Sequence, residues 1–270
     1  MRPSCADQRL ATAAVALVVI ASGAMAGCDT HRNDSGLISV PGGRLWGARF
    51  SPAGDTLAVA YGPDDKIGTI DLGSSSLREV TAGASYLTGT AWSAAGDAIY
   101  YTGTAGVYRV EPGGPAPTMV NDAFASLGVD VSPDGALLAY GINGSDARIY
   151  TVATMSERAL DRPCQAIRFA PSGDRVACIS GGALVNIELA SGTVTPIVAA
   201  GLPFIAGVDW YSDGQRLVFT STQGIETVTL AGERKVLAPA FAAVEVDLAP
   251  DDSAIVYGVN GANGLTLIRY

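Results

Sequence analysis

The side chains of this chain that could do chemistry are mostly carboxylates and arginines. His31 is the only histidine, and a serine or cysteine nucleophile usually needs a histidine as its base. The 33 glycines form no phosphate-binding loop, no dinucleotide fingerprint and no nucleophile elbow. The sequence therefore predicts a protein that is not an enzyme, with no catalytic residue, no metal site and no cofactor.

The most informative charged residues share one place, directly before a short turn motif that recurs along the chain. We call these places the channel positions. They are Arg49, Ala91, Asp130, Arg168, Asp209 and Asp247. Their sequence neighbours are mostly apolar or very small, and a charge that is buried without a partner is costly. We therefore expect these side chains to enter a polar channel or to pair with one another.

The turn motif itself is related to Ser-Pro-Asp-Gly and occurs six times. Its copies span residues 50–54, 92–96, 131–135, 169–173, 210–214 and 248–252. Proline fixes φ and glycine accepts a positive φ, so the chain reverses in each copy. Successive copies start 42, 39, 38, 41 and 38 residues apart, a spacing typical of propeller blades.

The sequence around each motif predicts strands. Alternating apolar residues come before it, as in 128–131, and a nearly continuous apolar run follows, as in 137–140. The first pattern is typical of a strand and the second of a strand buried on both faces. A third and a weaker fourth strand follow. The repeats thus predict an all-β, six-bladed β-propeller with four-stranded antiparallel blades, whereas an open solenoid would leave two apolar end faces.

The two chain ends predict how the ring closes. The last repeat ends after its third strand, while residues 36–40 form an apolar stretch before the first repeat. We expect this N-terminal strand to pair with residues 264–269 and to complete the last blade. The propeller would then occupy residues 36–270, which leaves no room for a second domain.

Ring closure also predicts partners for the channel positions. Arg168 would be flanked by Asp130 and Asp209 from the adjoining blades, and Arg49 would lie beside Asp247 across the closure. One interpretation is that ion pairs line and close the channel. The alternative is a cation or small-ligand site that uses the surplus carboxylate; carboxylate oxygens can bind Ca²⁺, but the neighbouring arginines oppose it.

Residues 1–27 have the pattern of a secretory signal, with a basic start, an apolar run and small residues before Cys28. The segment Met25-Ala26-Gly27-Cys28 resembles the bacterial lipobox, which implies cleavage before Cys28 and its lipidation. Residues 28–35 would then be a polar tether. A retained signal anchor, or a secretory signal cut elsewhere, are the alternatives.

Lipidation would place the ring at the exported face of the cell membrane. In enterobacterial lipoproteins an aspartate after the lipidated cysteine favours retention in the inner membrane, and Asp29 matches that position. The expected location in a Gram-negative host is therefore the periplasmic face of the inner membrane.

Two further cysteines, Cys164 and Cys178, flank a single predicted hairpin of blade four. An oxidising compartment would allow a cross-strand disulfide between them. The alternative is a pair of small buried hydrophobic residues. Neither a histidine nor a third cysteine accompanies them, which disfavours a metal site.

The charge of the chain limits its partners. Removing residues 1–27 takes away Arg2, Arg9 and Asp7, which leaves 15 basic and 25 acidic residues and a net charge of about −10. Nucleic acid is therefore not an expected partner. The sequence predicts a monomeric ring whose envelope partner, a protein or a lipoprotein, it does not identify.

The motif at 131–135, followed by the apolar strand at 137–140, resembles the WD-repeat-like propeller repeat of the TolB family. The resemblance covers essentially the whole chain after residue 35. TolB has an additional domain before its propeller and binds a peptidoglycan-associated lipoprotein, and related propellers precede the hydrolase domains of some peptidases. This sequence shows neither addition.

The resemblance implies a rigid disc whose loops and channel mouth hold another molecule. We therefore expect a membrane-tethered lipoprotein with a non-catalytic propeller that acts as a protein-binding scaffold in the cell envelope. The alternatives are a metal-dependent lactonase or esterase of the propeller type, and a propeller that binds a small ligand.

Overall fold

The structure is a computed structural model of the 270-residue chain. It describes residues 20–21, 34–39, 45–81, 89–103, 105–123, 126–200, 205–240, 243–259 and 264–269. Cys28 and the predicted tether up to residue 33 lie outside the described residues, as does the predicted signal apart from residues 20 and 21. No helix long and apolar enough to cross a bilayer is found in the described part of the chain.

The described residues form six antiparallel sheets, which confirms the predicted six-bladed β-propeller. Blade one contains β3 (Leu45–Phe50), β4 (Thr56–Tyr61), β5 (Lys66–Asp71) and β6 (Ser76–Thr81), and blade two contains β7 (Thr90–Trp92), β8 (Ile99–Gly103), β9 (Gly106–Val110) and β10 (Thr118–Asn121). Blade three contains β11 (Ser126–Val131), β12 (Leu137–Ile142), β13 (Ser145–Thr151) and β14 (Ser156–Ala159).

The second half of the ring repeats this order. Blade four contains β15 (Ala166–Phe169), β16 (Arg175–Ser180), β17 (Ala183–Glu188) and β18 (Val194–Val198), and blade five contains β19 (Ile205–Trp210), β20 (Arg216–Ser221), β21 (Gly224–Thr229) and β22 (Arg234–Ala238). Blade six contains β23 (Ala243–Leu248), β24 (Ala254–Val259), β25 (Gly264–Arg269) and β2 (Asp34–Ser39). The two-residue strand β1 (Ile20–Ala21) pairs with β2 at the outer edge of this blade.

The N-terminal strand closes the ring as predicted, although it begins two residues earlier than expected. β2 pairs with β25 in an antiparallel register that runs from Asp34 opposite Arg269 to Ser39 opposite Gly264. The inner strands β3, β7, β11, β15, β19 and β23 contact one another in that order, and β23 contacts β3. The blades therefore form a closed circle and not an open solenoid.

The hydrophobic core explains why the blades associate. Buried apolar residues form six clusters, and each cluster joins residues of two neighbouring blades. At the closing interface, for example, Phe50 and Leu57 of blade one pack with Val256 and Leu267 of blade six. Since each sheet buries both faces against its neighbours, a blade has no complete core of its own.

The turn motifs link the inner strand of each blade to the second strand. In blade one the N–H of Gly54 donates to the carbonyl of Ser51 (2.8 Å), and the N–H of Ser51 donates to the carbonyl of Thr56 (2.7 Å). The last residue of each motif has a positive φ between 60 and 76°, which glycine adopts without strain. Asp252 takes this place in blade six. All six motifs lie at one end of their strands and form what we call the turn face.

Neighbouring motifs also contact each other around the turn face. A Cβ built on the motif glycine would lie 3.4–3.8 Å from the third residue of the preceding motif at five junctions. These pairs are Gly54 with Pro250, Gly96 with Pro52, Gly135 with Ala94, Gly173 with Pro133, and Gly214 with Pro171. The remaining junction differs in chemistry, because the N–H and Oγ of Ser212 donate to the carboxylate of Asp252 at 2.9 and 2.7 Å.

Candidate functional site

The structure brings the channel positions together at the centre of the ring. Each is the second-to-last residue of its inner strand, so the six side chains start at the same depth. The ion-paired side chains among them are 4–13% exposed. The central channel is therefore largely filled by side chains at this level.

Arg49 pairs with two carboxylates from different blades. Its Nε lies 2.8 Å from Oδ1 of Asp247, as the sequence predicted for the closing junction, and its Nη2 lies 2.8 Å from Oδ1 of Asp130. Asp130 belongs to blade three, two blades away from Arg49. The small side chain of Ala91, the channel position of the intervening blade, leaves this path open.

Arg168 has a different partner from the expected one. Asp130 and Asp209 were predicted to flank it, but its Nη2 lies 3.3 Å from Oε2 of Glu245 in blade six. The reason is that the other carboxylates are used elsewhere: Asp130 by Arg49 and by a backbone N–H, and Asp209 by the N–H of Leu248. Long side chains in the channel thus pair with partners from more distant blades as well as with partners from adjacent blades.

Glu245 is the member of this site that the sequence reasoning missed, although the repeat contains a signal for it. Two residues before the channel positions, the inner strands carry Gly47, Gly89, Gly128, Ala166, Gly207 and Glu245. The strands approach closely there, since a Cβ built on Gly89 would lie 2.7 Å from the Cα of Gly128. A single glutamate at a place otherwise kept small should enter the channel, where it approaches Gly47 and Arg168.

The aspartates of the channel also link neighbouring blades through the backbone. Asp130 accepts the N–H of Phe169 (2.7 Å), Asp209 that of Leu248 (2.8 Å) and Asp247 that of Phe50 (2.7 Å). In each case the donor is the residue directly after the channel position of the next blade. An aspartate at this position therefore joins two inner strands in addition to any ion pair.

The two arginine positions use a different link. The indole Nε1 of Trp92 donates to the carbonyl of Arg49 (3.0 Å), and that of Trp210 donates to the carbonyl of Arg168 (3.2 Å). Both tryptophans begin the turn motif of the following blade and contribute to the packing between blades. Where the channel position of one blade is arginine, the turn motif of the next blade begins with tryptophan, and where it is aspartate, the next motif begins with phenylalanine or leucine. At the junction of blades two and three these places hold Ala91 and Val131, which can form neither link.

Burial dominates the electrostatics of the channel carboxyls. It raises the pKa of Asp130 to about 6 and that of Glu245 to about 7, although the Arg49 guanidinium works in the opposite direction. Burial also raises the pKa values of Asp209 and Asp247 against the opposing Arg49 guanidinium, and the neighbouring Asp209 carboxylate raises that of Asp247 further. Burial alone would lower the pKa of Arg49, but the surrounding carboxylates raise it above its usual value.

This arrangement can hold strands together, and it offers little open volume for a ligand. Among the described residues no group of three histidine, cysteine, aspartate or glutamate side chains is placed to hold a metal ion. A cleft of about 530 Å³ lies elsewhere, on the turn face between blades six and one. It is lined mainly by turn residues and small side chains, and its charged lining residues are Asp251 and Arg269.

The cysteine pair predicted for blade four forms a disulfide in the structure. The Cα atoms of Cys164 and Cys178 are 5.5 Å apart. Both side chains are also buried in the cluster between blades three and four. The disulfide joins the segment before β15 to the middle of β16.

No family model matches the chain, and no curated protein matches it. Its fold, a closed six-bladed β-propeller, is shared with solved structures of low sequence identity. An auxiliary nutrient binding protein from Bacteroides thetaiotaomicron is 14% identical with a TM-score of 0.68, over 84% of this chain and 69% of that one. Hydrazine synthase from Kuenenia stuttgartiensis is 16% identical with a TM-score of 0.64, over 86% and 78%.

A third similar structure is the β-propeller domain of Cps50 (Swd1) from Myceliophteria thermophila. It is 13% identical with a TM-score of 0.63, over 86% of this chain and 98% of that one. Identities this low show the shared fold alone. The class of protein is thus a six-bladed β-propeller whose central channel is closed by ion pairs.

Proposed function

We propose that this protein is an exported lipoprotein whose TolB-like propeller is a non-catalytic, protein-binding scaffold held at the membrane by lipid on Cys28. The observation that carries the binding role is the filled channel. Arg49 pairs there with Asp130 and Asp247, and Arg168 pairs with Glu245. Because these paired side chains fill the centre of the ring, recognition is left to the two faces and the outer rim of the ring.

Two features support export. The Cys164–Cys178 disulfide is of a kind that persists in oxidising compartments such as the periplasm. The segment Met25-Ala26-Gly27-Cys28 resembles a lipobox, and the ring begins at Asp34, only a few residues later. An acyl group on Cys28, with a second chain on the new amino terminus, would give stable anchoring. Asp29 would favour the inner membrane in a Gram-negative host.

The lipid anchor is tested by fractionation and by metabolic labelling with a palmitate analogue. The full-length chain is expected in the membrane fraction and to carry the label. Cys28→Ala should remove the label and leave an uncleaved precursor, whereas Cys5→Ala in the predicted signal should change neither. A membrane-bound chain that takes up no label would contradict lipidation.

The scaffold role is tested by crosslinking in the native envelope followed by mass spectrometry. We expect one protein or lipoprotein to be recovered reproducibly with the full-length chain. Metal analysis and an esterase and lactonase screen of the same preparation test the enzymatic alternative. One tightly bound Ca²⁺ per chain, together with hydrolysis that Asp247→Asn abolishes, would overturn the proposal.

A further inference from the structure

We propose that the outer edge of blade six binds the protein partner by β-strand addition, with an extended, proline-free and mainly apolar segment of the partner pairing antiparallel to β2. This inference rests on the proposed scaffold role and on cleavage before Cys28. It adds what the function alone does not specify: the binding surface, the mode of binding and the kind of segment that binds. Addition of a strand to an exposed sheet edge is a common mode of peptide recognition.

The structure shows that this edge accepts a further strand. β2 is the fourth strand of blade six, and β1 adds to it as a fifth. The pairing is antiparallel and places Ile20 opposite Leu37. Ala21 lies opposite Gly36. In the described part of the chain the other five sheets have four strands each. The edge of β2 therefore has the geometry for strand addition, with an apolar residue in register with Leu37.

The edge of β2 is also regular. β2 pairs with β25 through six consecutive residue pairs and without a shift in register. In contrast, the outer strands of blades one, two, four and five each show a register shift against the third strand of their blade. Irregular edges are poor templates for a further strand. A continuous six-residue edge is better suited to pairing with an extended segment.

The composition of β2 distinguishes it from the other outer strands. Charged residues and proline protect sheet edges against unwanted pairing. Four outer strands contain such residues, namely Arg78 and Glu79 in β6, Glu157 and Arg158 in β14, Pro196 in β18, and Arg234 and Lys235 in β22. Residues 35–39 of β2 contain neither a charge nor a proline. β10 is also uncharged, but it is shorter and its pairing is irregular. β2 is therefore the least protected of the six outer strands.

Leu37 offers an apolar contact on this edge. Its side chain is 43% exposed, whereas the next residue, Ile38, is buried in the core between blades six and one. Apolar side chains directly opposite each other stabilise antiparallel strands. An added strand with an apolar residue opposite Leu37 would take this side chain out of water. The partner segment should therefore carry a β-branched or aromatic residue at that place.

Processing of the chain would open the edge. β1 lies within residues 1–27, which cleavage before Cys28 removes from the ring. The precursor would thus cover the edge of β2 with its own signal segment, and the mature lipoprotein would present it. Because the chain then no longer contains β1, a strand of another protein is the occupant that fits the scaffold role.

Photo-crosslinking in the native envelope tests the surface with a matched control. Leu37 and Val236 are apolar residues of outer strands and are 43% and 42% exposed, but Val236 directly follows Lys235 in β22. A photo-crosslinking amino acid at position 37 of the full-length chain should give one protein adduct, in several-fold higher yield than at position 236. Equal yields, or an adduct of position 37 with a second copy of this chain, would overturn the inference.

A peptide probe tests the pairing itself. The probe contains residues 17–23, the sequence around β1, with lysines added for solubility and with isotope-labelled carbonyl groups. The purified, lipidated chain should bind it, and the infrared band of the labelled carbonyls should move to the position typical of a β-sheet.

Two charge substitutions assign the probe to the edge. Leu37→Lys should weaken binding of the probe several-fold, because a charge on the edge opposes strand pairing, while Val236→Lys should leave it unchanged. Circular dichroism verifies that both variants keep the fold, as expected for exposed positions. Binding without the β-sheet band, or equal binding by the two variants, would contradict strand addition.

The outcomes separate this inference from the proposed function. A chain that carries no lipid but binds the probe through Leu37 contradicts the anchor and supports strand addition. A lipidated chain whose crosslinks and probe binding do not depend on Leu37 contradicts strand addition alone. In the uncleaved Cys28→Ala precursor, which keeps β1, the probe should bind several-fold more weakly than to the mature chain; equal binding would show that β1 does not cover the edge.

Discussion

At the scale of single residues, Arg49 makes polar contacts with residues of three other blades. It contacts two buried carboxylates from blades three and six, and its backbone carbonyl accepts the indole N–H of Trp92 in blade two. This one residue thus contacts blades two and six, its neighbours in the ring, and also blade three. Buried ion pairs do not always stabilise a protein, but removing one partner leaves the other uncompensated.

Arg49→Gln should therefore lower the free energy of unfolding by about 3–5 kcal/mol at neutral pH. Chemical denaturation followed by tryptophan fluorescence measures this loss. The loss should be smaller at mildly acidic pH, because Asp130 and Asp247 can then take up protons instead. Lys235→Gln is the matched control: Lys235 is exposed on β22, and its loss should change stability by less than about 0.5 kcal/mol. Equal effects of the two substitutions would contradict the structural role of Arg49.

At this scale the sequence predicts which residues line the channel, but it predicts their ion-pair partners only in part. The repeat located Arg49, Asp130, Arg168, Asp209 and Asp247, and the closing pair of Arg49 with Asp247 is present. The partner of Arg168 was wrong, because adjacency along the ring says nothing about how far a long side chain reaches. Glu245 would have been found by comparing the positions two residues upstream, where the other blades carry only glycine or alanine.

At the scale of elements, the turn motif serves two purposes. Its glycine accepts the positive φ of the turn, and its third residue meets the motif of the next blade. The junction of blades five and six replaces this packing with hydrogen bonds from Ser212 to Asp252. Ser212 replaces the proline and Asp252 replaces the glycine at the same junction, so we expect their contributions to stability to be coupled.

A double-mutant cycle on this junction tests the coupling. Ser212→Pro removes both donors, and Asp252→Gly removes the acceptor while relaxing a φ of 60°. Each single variant should lose about 1 kcal/mol. The double variant recreates the proline and glycine of the other junctions and should return to within about 0.5 kcal/mol of the parent. The change in unfolding free energy is the measurement, and strict additivity of the two losses would rule the coupling out.

The disulfide is a second prediction at this scale. Cys164 and Cys178 close a loop with a sequence separation of 14 residues. Constraining the unfolded chain to this extent stabilises a protein by about 3 kcal/mol. The double variant Cys164→Ala, Cys178→Ala should lose about that amount, and reductant should lower the thermal midpoint of the parent but not of the variant. An unchanged midpoint of the parent in reductant would show that the bridge contributes little.

The strands were predictable because each one has a local pattern, whereas contacts between motifs were not. Alternation and apolar runs identify the four strands of a blade, and even the closing strand could be inferred from its missing counterpart at the other chain end. The proline and glycine contacts join residues of different repeats. Local preference cannot show such contacts, and only the closed ring brings them together.

At the scale of the whole molecule, six equivalent interfaces are held by apolar clusters, while the polar links between inner strands are uneven. The junction of blades two and three has neither an aspartate nor a tryptophan link, and Arg49 spans it by pairing with Asp130. The charge state of the channel therefore affects the ring as a whole. In the channel, four carboxyls face two arginines, so full ionisation leaves an excess of negative charge.

This excess predicts the pH dependence of the ring. The pKa of Asp130 is raised to about 6 and that of Glu245 to about 7, and those of Asp209 and Asp247 are raised as well, so the folded state binds these protons more tightly than the unfolded state does. The stabilisation is complete below the unfolded pKa values near 4 and is lost as the pH rises through 6 and 7. The free energy of unfolding should fall by about 2–4 kcal/mol between about pH 5 and pH 8.

Denaturant titrations across this range measure the slope, and two matched variants assign it. Glu245→Gln cannot titrate in the channel and should flatten the fall between pH 6 and 8, while Glu233→Gln on the exposed turn face should leave it unchanged. Salt should have little effect, because buried charges are poorly screened. If the parent instead became more stable as the pH rose through this window, the channel carboxyls would have to be fully ionised and compensated in the folded ring, and the raised pKa values of the four channel carboxyls would be contradicted.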